Sequence, residues 1–166
     1  NYFFYLACFL PVFIFSDDRF RLIHADVLEN IMVDDASVQF LNGNVKFAKG
    51  SMTITCDRAQ FREKSGYGSM VGKTFVIKDD VTLTCDSLHF NSPKDLIKAF
   101  GNAHIWDEEY DLRSGMLNYY SELKKGEASG NAILRQKNQT IEAVRLNYEK
   151  KDEDGVSFEA IENVKI

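Results

Sequence analysis

Proline is scarce in this chain. There are two in 166 residues, beside ten glycines and a single tryptophan. So little proline, with 13% aromatic content, excludes a disordered or collagen-like polypeptide. An excess of basic charge is also lacking. Against 20 Lys+Arg stand 25 Asp+Glu, a net charge of −5, which leaves no basic footprint for nucleic acid. Histidine is limited to His24, His89 and His104, which form no ligand pair at i,i+2 or i,i+4. No HExxH, CxxC, GxSxG or phosphate-binding loop occurs. These gaps remove the common metal-dependent and nucleophilic enzyme classes. The chain reads as a non-enzyme with no cofactor and no metal site.

Charge is missing altogether from the first 16 residues, NYFFYLACFLPVFIFS. That run is short for a membrane span, which needs roughly 20 residues. It suits the apolar core of a secretory signal. Residues 1–16 are read as a signal peptide, with an uncleaved N-terminal anchor as the alternative. Residues 17–166 are read as one domain, because two full domains do not fit the length.

What the sequence does have is a repeat. Gly43, Gly72, Gly101 and Gly130 recur every 29 residues. A second block keeps the period: MTITCDRAQF, VTLTCDSLHF, YDLRSGMLNY and QTIEAVRLNY. Within it Ile54, Leu83, Leu112 and Ile141 are in phase, as are Cys56, Cys85, Ser114 and Ala143. So are Ala59, Leu88, Leu117 and Leu146, and Phe61, Phe90, Tyr119 and Tyr148. LIHADVLEN and Asn163-Val164-Lys165-Ile166 are partial copies at the two ends. Apolar residues alternate with period 2, so the blocks are strands, and polar or Gly/Pro-bearing turns separate them. The expected fold is all-β: an antiparallel meander of about ten long strands.

Both strand types bend at mid-length. In the first, apolar parity shifts between Ile54/Cys56 and Ala59/Phe61, which predicts an extra residue near Asp57-Arg58, as in a β-bulge. In the second, parity is kept through the central Gly, which is expected to lie on the concave side of a crease. Bending every strand at one level folds the sheet into two facing leaves. Asp57 and Asp86 share a phase, yet equivalent strands of successive repeats lie roughly 9.6 Å apart, so a turn-stabilising role fits better than paired catalytic carboxylates. The same separation exceeds the roughly 7 Å that a disulfide tolerates, so Cys56 and Cys85 are expected as free, buried thiols.

The motif LNGNVKFAKGSMTITCDRAQF resembles the opening of the LptA/OstA family of periplasmic lipopolysaccharide-transport proteins. Gly43-Asn44-Val45 followed by Thr53-Ile54-Thr55-Cys56-Asp57-Arg58-Ala59 carries the likeness, and Thr82 to Leu88 repeats it. Gly115 and Val144 replace the Asp in the last two repeats. The resemblance implies an open, V-shaped β-jellyroll and a periplasmic location. It implies acyl chains of lipopolysaccharide or another acylated glycolipid held in an apolar groove, and inner- and outer-membrane transport components with OstA-like domains as partners. The groove residues expected are Phe47, Ile54, Ala59, Phe61, Val76, Leu83, Leu88, Phe90, Ile105, Leu112, Leu117 and Tyr119. Two alternatives stand beside the carrier: an LptC-like membrane-anchored component of the same pathway, and a closed β-sandwich interaction module that holds no lipid.

Three surface features complete the reading. Lys46, Lys73, Lys78, Lys98 and Arg135 either meet anionic groups at a groove rim or are solvated strand residues. Phe75, Ile77, Phe100 and Trp106 fall on the outer parity, as a second contact surface or as packing under a turn. The edge strands, expected at residues 20–30 and 157–166, contain no proline and suit head-to-tail homo-oligomers by β-augmentation.

Overall fold

The computed structural model describes residues 21–94, 96–120, 123–151 and 155–166. The apolar stretch at 1–16 lies outside them. The strands in chain order are β1 (Arg21–His24), β2 (Val27–Val33), β3 (Ala36–Lys49), β4 (Met52–Arg62), β5 (Tyr67–Lys78) and β6 (Val81–Asn91). They continue with β7 (Leu96–Trp106), β8 (Tyr110–Tyr120), β9 (Lys125–Gln136), β10 (Gln139–Lys151) and β11 (Gly155–Ile161). From β3 onward each strand pairs antiparallel with the next, so the sheet is a meander. β1 and β2 both pair with β3 at one edge, β11 pairs with β10 at the other, and the two edges do not meet. The result is an open all-β jellyroll.

The expected first strand is two strands. β1 pairs with the second half of β3, where Leu22 faces Phe47, and β2 with its first half, where Leu28 faces Leu41. The break falls at Ala25-Asp26, the phase of Asp57 and Asp86. An interior strand crosses the crease with a neighbour on each side, whereas this edge strand has one neighbour and its ladder is interrupted. β2 then runs on to Val33 and turns tightly through Asp34 and Asp35, with φ of 48° and 57° as a two-residue hairpin requires. The last strand is also shorter than expected. β11 stops at Ile161, Glu162 and Asn163 take φ of 63° and 52°, and Lys165 makes a single bridge back to Glu142.

The bulges are where the repeat placed them, but on the other strand. In the β3–β4 ladder Asn42 faces Arg58 and Val45 faces Cys56, so Gly43 and Asn44 together oppose Asp57. Gly72-Lys73 oppose Asp86, Gly101-Asn102 oppose Gly115, and Gly130-Asn131 oppose Val144 in the same way. The extra residue therefore belongs to the glycine strand and not to Asp57-Arg58. β4 crosses the crease in one residue fewer than β3, and this difference flips its apolar parity.

The glycine's role also differs from the expected one. Gly101 has φ of 71° and Asn102 48°, a left-handed pair that a side chain with Cβ at the first position resists. A Cβ on Gly43, Gly72 or Gly101 would overlap the carboxylate of Asp26, at the break between β1 and β2, or of Asp57 or Asp86 on the preceding strand. Those aspartates are exposed, so the glycine clears room on the solvent side of the crease. Asn44 and Asn102 each donate a side-chain N–H to the Asp26 or Asp86 carboxylate at 2.9 Å. The in-phase aspartates thus tie the crease together.

How sharply the sheet folds is visible in the aromatic rings. Phe47 is paired with Ile54, and Phe61 lies seven residues along the same strand, about 23 Å away if β4 were straight. The Phe47 and Phe61 ring centroids are 4.6 Å apart. The two leaves face each other and touch.

Candidate functional site

The candidate site is the apolar interior between the leaves. Period-2 alternation sends one face of every strand inward, and the crease brings the inward faces of both halves together. Buried residues form two clusters. One gathers Leu41, Val45, Phe47, Ile54, Met70 and Leu88 with their neighbours from β3 to β7. The other gathers Leu112, Ala128, Ala132, Leu134 and Leu146 from β8 to β10. Leu117 packs against both, so the interior is continuous along the meander.

All twelve residues expected to line a groove fall on this inner side. Phe47, Ile54, Ala59, Val76, Leu88, Phe90 and Leu112 are buried. Phe61, Leu83, Ile105, Leu117 and Tyr119 are half-buried, and the first four pack against the clusters. Phe61 bridges Phe47 and Phe90, whose ring centroid is 5.5 Å from its own. Gly68 makes that stack possible, because a Cβ there would overlap the rings of Phe90 and Phe61. At the far end Tyr148 sits 6.3 Å from Tyr119 and 5.6 Å from Phe158, which in turn meets Tyr110 across the crease at 6.1 Å. Burial, followed by the neighbouring Asp107 carboxylate, pushes the Tyr110 hydroxyl well above its ordinary value.

The sequence reading missed the fourth repeat's share. Leu134 is in phase with Phe47, Val76 and Ile105, and Leu146 is in phase with Ala59, Leu88 and Leu117. Both are almost fully buried. The repeat already contained that signal, because position in the period, not motif quality, decides which face a residue takes. Leu41, Val45 and Met70 belong to the same inner set. Thr74 occupies the phase of Val45, Ala103 and Ala132 and is buried with them, its hydroxyl without a hydrogen-bond partner among the described residues.

The polar candidates lie elsewhere. Lys46, Lys98 and Arg135 point away from the interior by parity, with buried Val45 and Phe47, Ala99 and Leu134 as their strand neighbours. Phe75 and Ile77 are exposed. Phe100 lies 5.2 Å from the His89 ring, and Trp106 stacks on His104 at 4.2 Å. His104 also contacts Asp111 at 2.8 Å, and Arg113 is 3.3 Å from the same carboxylate. Burial works against ionisation of Asp111, but His104 and Arg113 outweigh it and hold the carboxyl below its usual range. Among the described residues no group of three or more His, Cys, Asp or Glu could hold a metal ion.

Cys56 and Cys85 are free and buried, on β4 and β6 with β5 between them. The Cys56 thiol donates to the Arg58 carbonyl at 3.2 Å. Burial raises both thiols, Cys56 to about 11 and Cys85 to about 12. Peptide mapping after alkylation should find neither modified in the native protein at neutral pH and both modified after unfolding without reductant. A Cys56–Cys85 disulfide peptide would break the strand order. Folded thiols hold their protons more tightly than unfolded ones at 9.0. Their burial therefore favours folding fully below about pH 9 and progressively less as the pH climbs through 11 and 12.

Against this geometry the known proteins can be compared. The OstA-like protein family matches over residues 67–165. The chain belongs to the OstA-like family. No curated protein matches its sequence. Among solved structures, it is similar to LptH from Pseudomonas aeruginosa, described as the LptA-homologous periplasmic component of the conserved lipopolysaccharide transport device. The TM-score is 0.60 at 13% identity, over 88% of this chain and 99% of that one. At that identity the likeness is one of fold, and it places this OstA-like chain in the same open jellyroll architecture.

Proposed function

We propose that the protein is a periplasmic carrier of lipopolysaccharide, sheltering acyl chains between the leaves of its creased sheet. The observation that carries the proposal is the continuous apolar interior of an unclosed sheet, joined through Leu117 from β3 to β11. Transfer of each methylene from water into such an interior contributes about 0.8 kcal/mol, so several acyl chains can be held without covalent chemistry. Phe61, Leu83, Ile105, Leu117 and Tyr119 are the half-buried members of the inner set and the first surface an entering chain would meet. The LptA homology of the similar structure supports the same cargo. The family's non-enzymatic character agrees with a carrier that needs no cofactor.

Transport between membranes requires a further OstA-like sheet at one or both edges. β2 is the edge best suited to receive one. All seven of its residues are exposed, including Val27, Leu28, Ile31, Met32 and Val33, and it pairs with β3 alone. An exposed, apolar edge strand is a template for strand addition.

Photo-crosslinking tests the carrier. A photoreactive residue at Phe61 or Phe90, on the inner side, should label glycolipid in the periplasm. The same probe at Arg62 or Asn91, on the outer side, should not. Equal labelling on both sides, or labelling on neither with no acylated glycolipid in the mass spectrum of purified protein, sinks the carrier and leaves an interaction module.

A further inference from the structure

One crease lacks its carboxylate. At three of them an aspartate earlier in the chain fills the space above the glycine: Asp26 over Gly43, Asp57 over Gly72, Asp86 over Gly101. At the fourth the corresponding residue is Gly115, and it faces Gly130 with no side chain between them. The rest of the crease is unchanged. Gly130 and Asn131 keep the left-handed pair, with φ of 77° and 59°. Ser114 stands in the phase of Cys56 and donates to the Met116 carbonyl at 3.0 Å, as Cys56 does to Arg58. Asn131 is the counterpart of Asn44 and Asn102, which both grip a carboxylate. Its own amide has no side-chain partner among the described residues.

Gly115 and Gly130 form one part of an open cleft of about 500 Å³, whose lining also includes Asn131, Arg113, His104 and Thr84 and reaches Asn102 of the neighbouring crease. Of the charged groups nearby, Arg113 lies on the lining and Asp111 does not, while the Asp86 carboxylate stands beyond the far wall, held by Asn102 at 2.9 Å. Asp111 meets Arg113 through Nε at 3.3 Å and His104 through Nε2 at 2.8 Å, and the Arg113 side chain stays half exposed beside the cleft. A carboxylate is the group for which this geometry is already built at the sister creases. Arg113 adds a guanidinium that matches it.

We propose that the Gly115–Gly130 cleft binds a carboxylate supplied from outside the chain, in the place where Asp26, Asp57 and Asp86 serve the other creases. Asn131 donates its side-chain N–H to one oxygen, and Arg113 faces the other. The inference rests on the crease alone and stands or falls independently of the lipid cargo.

The test is a titration of the isotopically labelled full chain with acetate, followed by amide chemical shifts. Saturable shifts are expected at Gly115, Gly130 and the Asn131 side-chain amide. Asn131→Gly keeps the left-handed backbone and removes the carboxamide, and it should weaken binding roughly tenfold. Gly115→Asp should abolish the response by returning a carboxylate in cis. A Cβ at Gly115 comes no closer than 3.4 Å to the Gly130 carbonyl, so that variant is accommodated. If it nevertheless fails to fold, Arg113→Gln carries the test, with weaker acetate binding expected. A capped aspartate dipeptide distinguishes sources. Tighter binding than acetate assigns the site to an acidic side chain of a partner, and equal binding to a free acid. The proposal is overturned if acetate gives no saturable shift, if folded Gly115→Asp responds like the parent, or if inorganic phosphate binds more tightly than acetate.

Discussion

Replacing Gly101 with Ala should lower the unfolding free energy by about 3 kcal/mol, the larger part from backbone and sterics. An L-residue at a φ of 71° costs about 1–2 kcal/mol before any contact is considered. The new methyl would also overlap the Asp86 carboxylate and displace it from Asn102, whose hydrogen bond is 2.9 Å. Losing a hydrogen bond to a charged group adds about 1.5 kcal/mol at an exposed site. Urea denaturation reads the sum as a lower midpoint at unchanged slope. The cause is separable. Asp86→Ala alone removes the hydrogen bond, while Asp86→Ala in the Gly101→Ala background also relieves the overlap. The double variant should therefore be less destabilised than the sum of the singles. Strict additivity would mean that the glycine serves the backbone only and that the carboxylate does not occupy its space.

The second large effect separates the two faces of one strand. Met70 is 0% exposed and lies between Ala59 and Leu88, whereas its neighbour Val71 is 39% exposed. Met70→Ala removes a fully buried side chain of the inner cluster and should cost about 3 kcal/mol. Val71→Ala should cost about 0.5 kcal/mol. The two positions share one strand and one pair of neighbouring strands, and the loss of β-branched Val71 works against the expected difference, so a larger loss at Met70 reports burial. Similar losses at both positions would contradict the inner and outer assignment of β5, and with it the lining of the site. Met70→Ala also enlarges the interior, so acyl-chain occupancy measured by mass spectrometry should survive this substitution even as stability falls.

Sequence by itself determined the interior strands, β3 to β10, their order and their inner face. The 29-residue period placed Phe61, Phe90 and Tyr119 on one side because side-chain direction in a strand alternates by counting alone. The same counting separated Cys56 from Cys85 by a full strand and left both as thiols. Leu146 was in phase with Ala59, Leu88 and Leu117, and Leu134 with Phe47, Val76 and Ile105, so the same counting places both on the inner face. Parity also revealed that a bend exists, since Ile54 and Ala59 cannot both face inward on a straight, regular strand.

Only the tertiary structure decided which strand takes the extra residue. A bulge is a property of a pair, and the count of Gly43 and Asn44 against Asp57 appears only when the ladder is registered. The same holds for the glycine, whose missing Cβ answers to a carboxylate 15 to 17 residues earlier in the chain. The split of the first strand depended on its having a single neighbour. The contact of Phe47 with Phe61 depended on how far the leaves close, which no local pattern encodes. The empty position at Gly115 shows the division best. A glycine in place of an aspartate was legible in the sequence, but its consequence required the facing Gly130. Absence of a side chain becomes a cleft only where the opposite wall offers none to fill it.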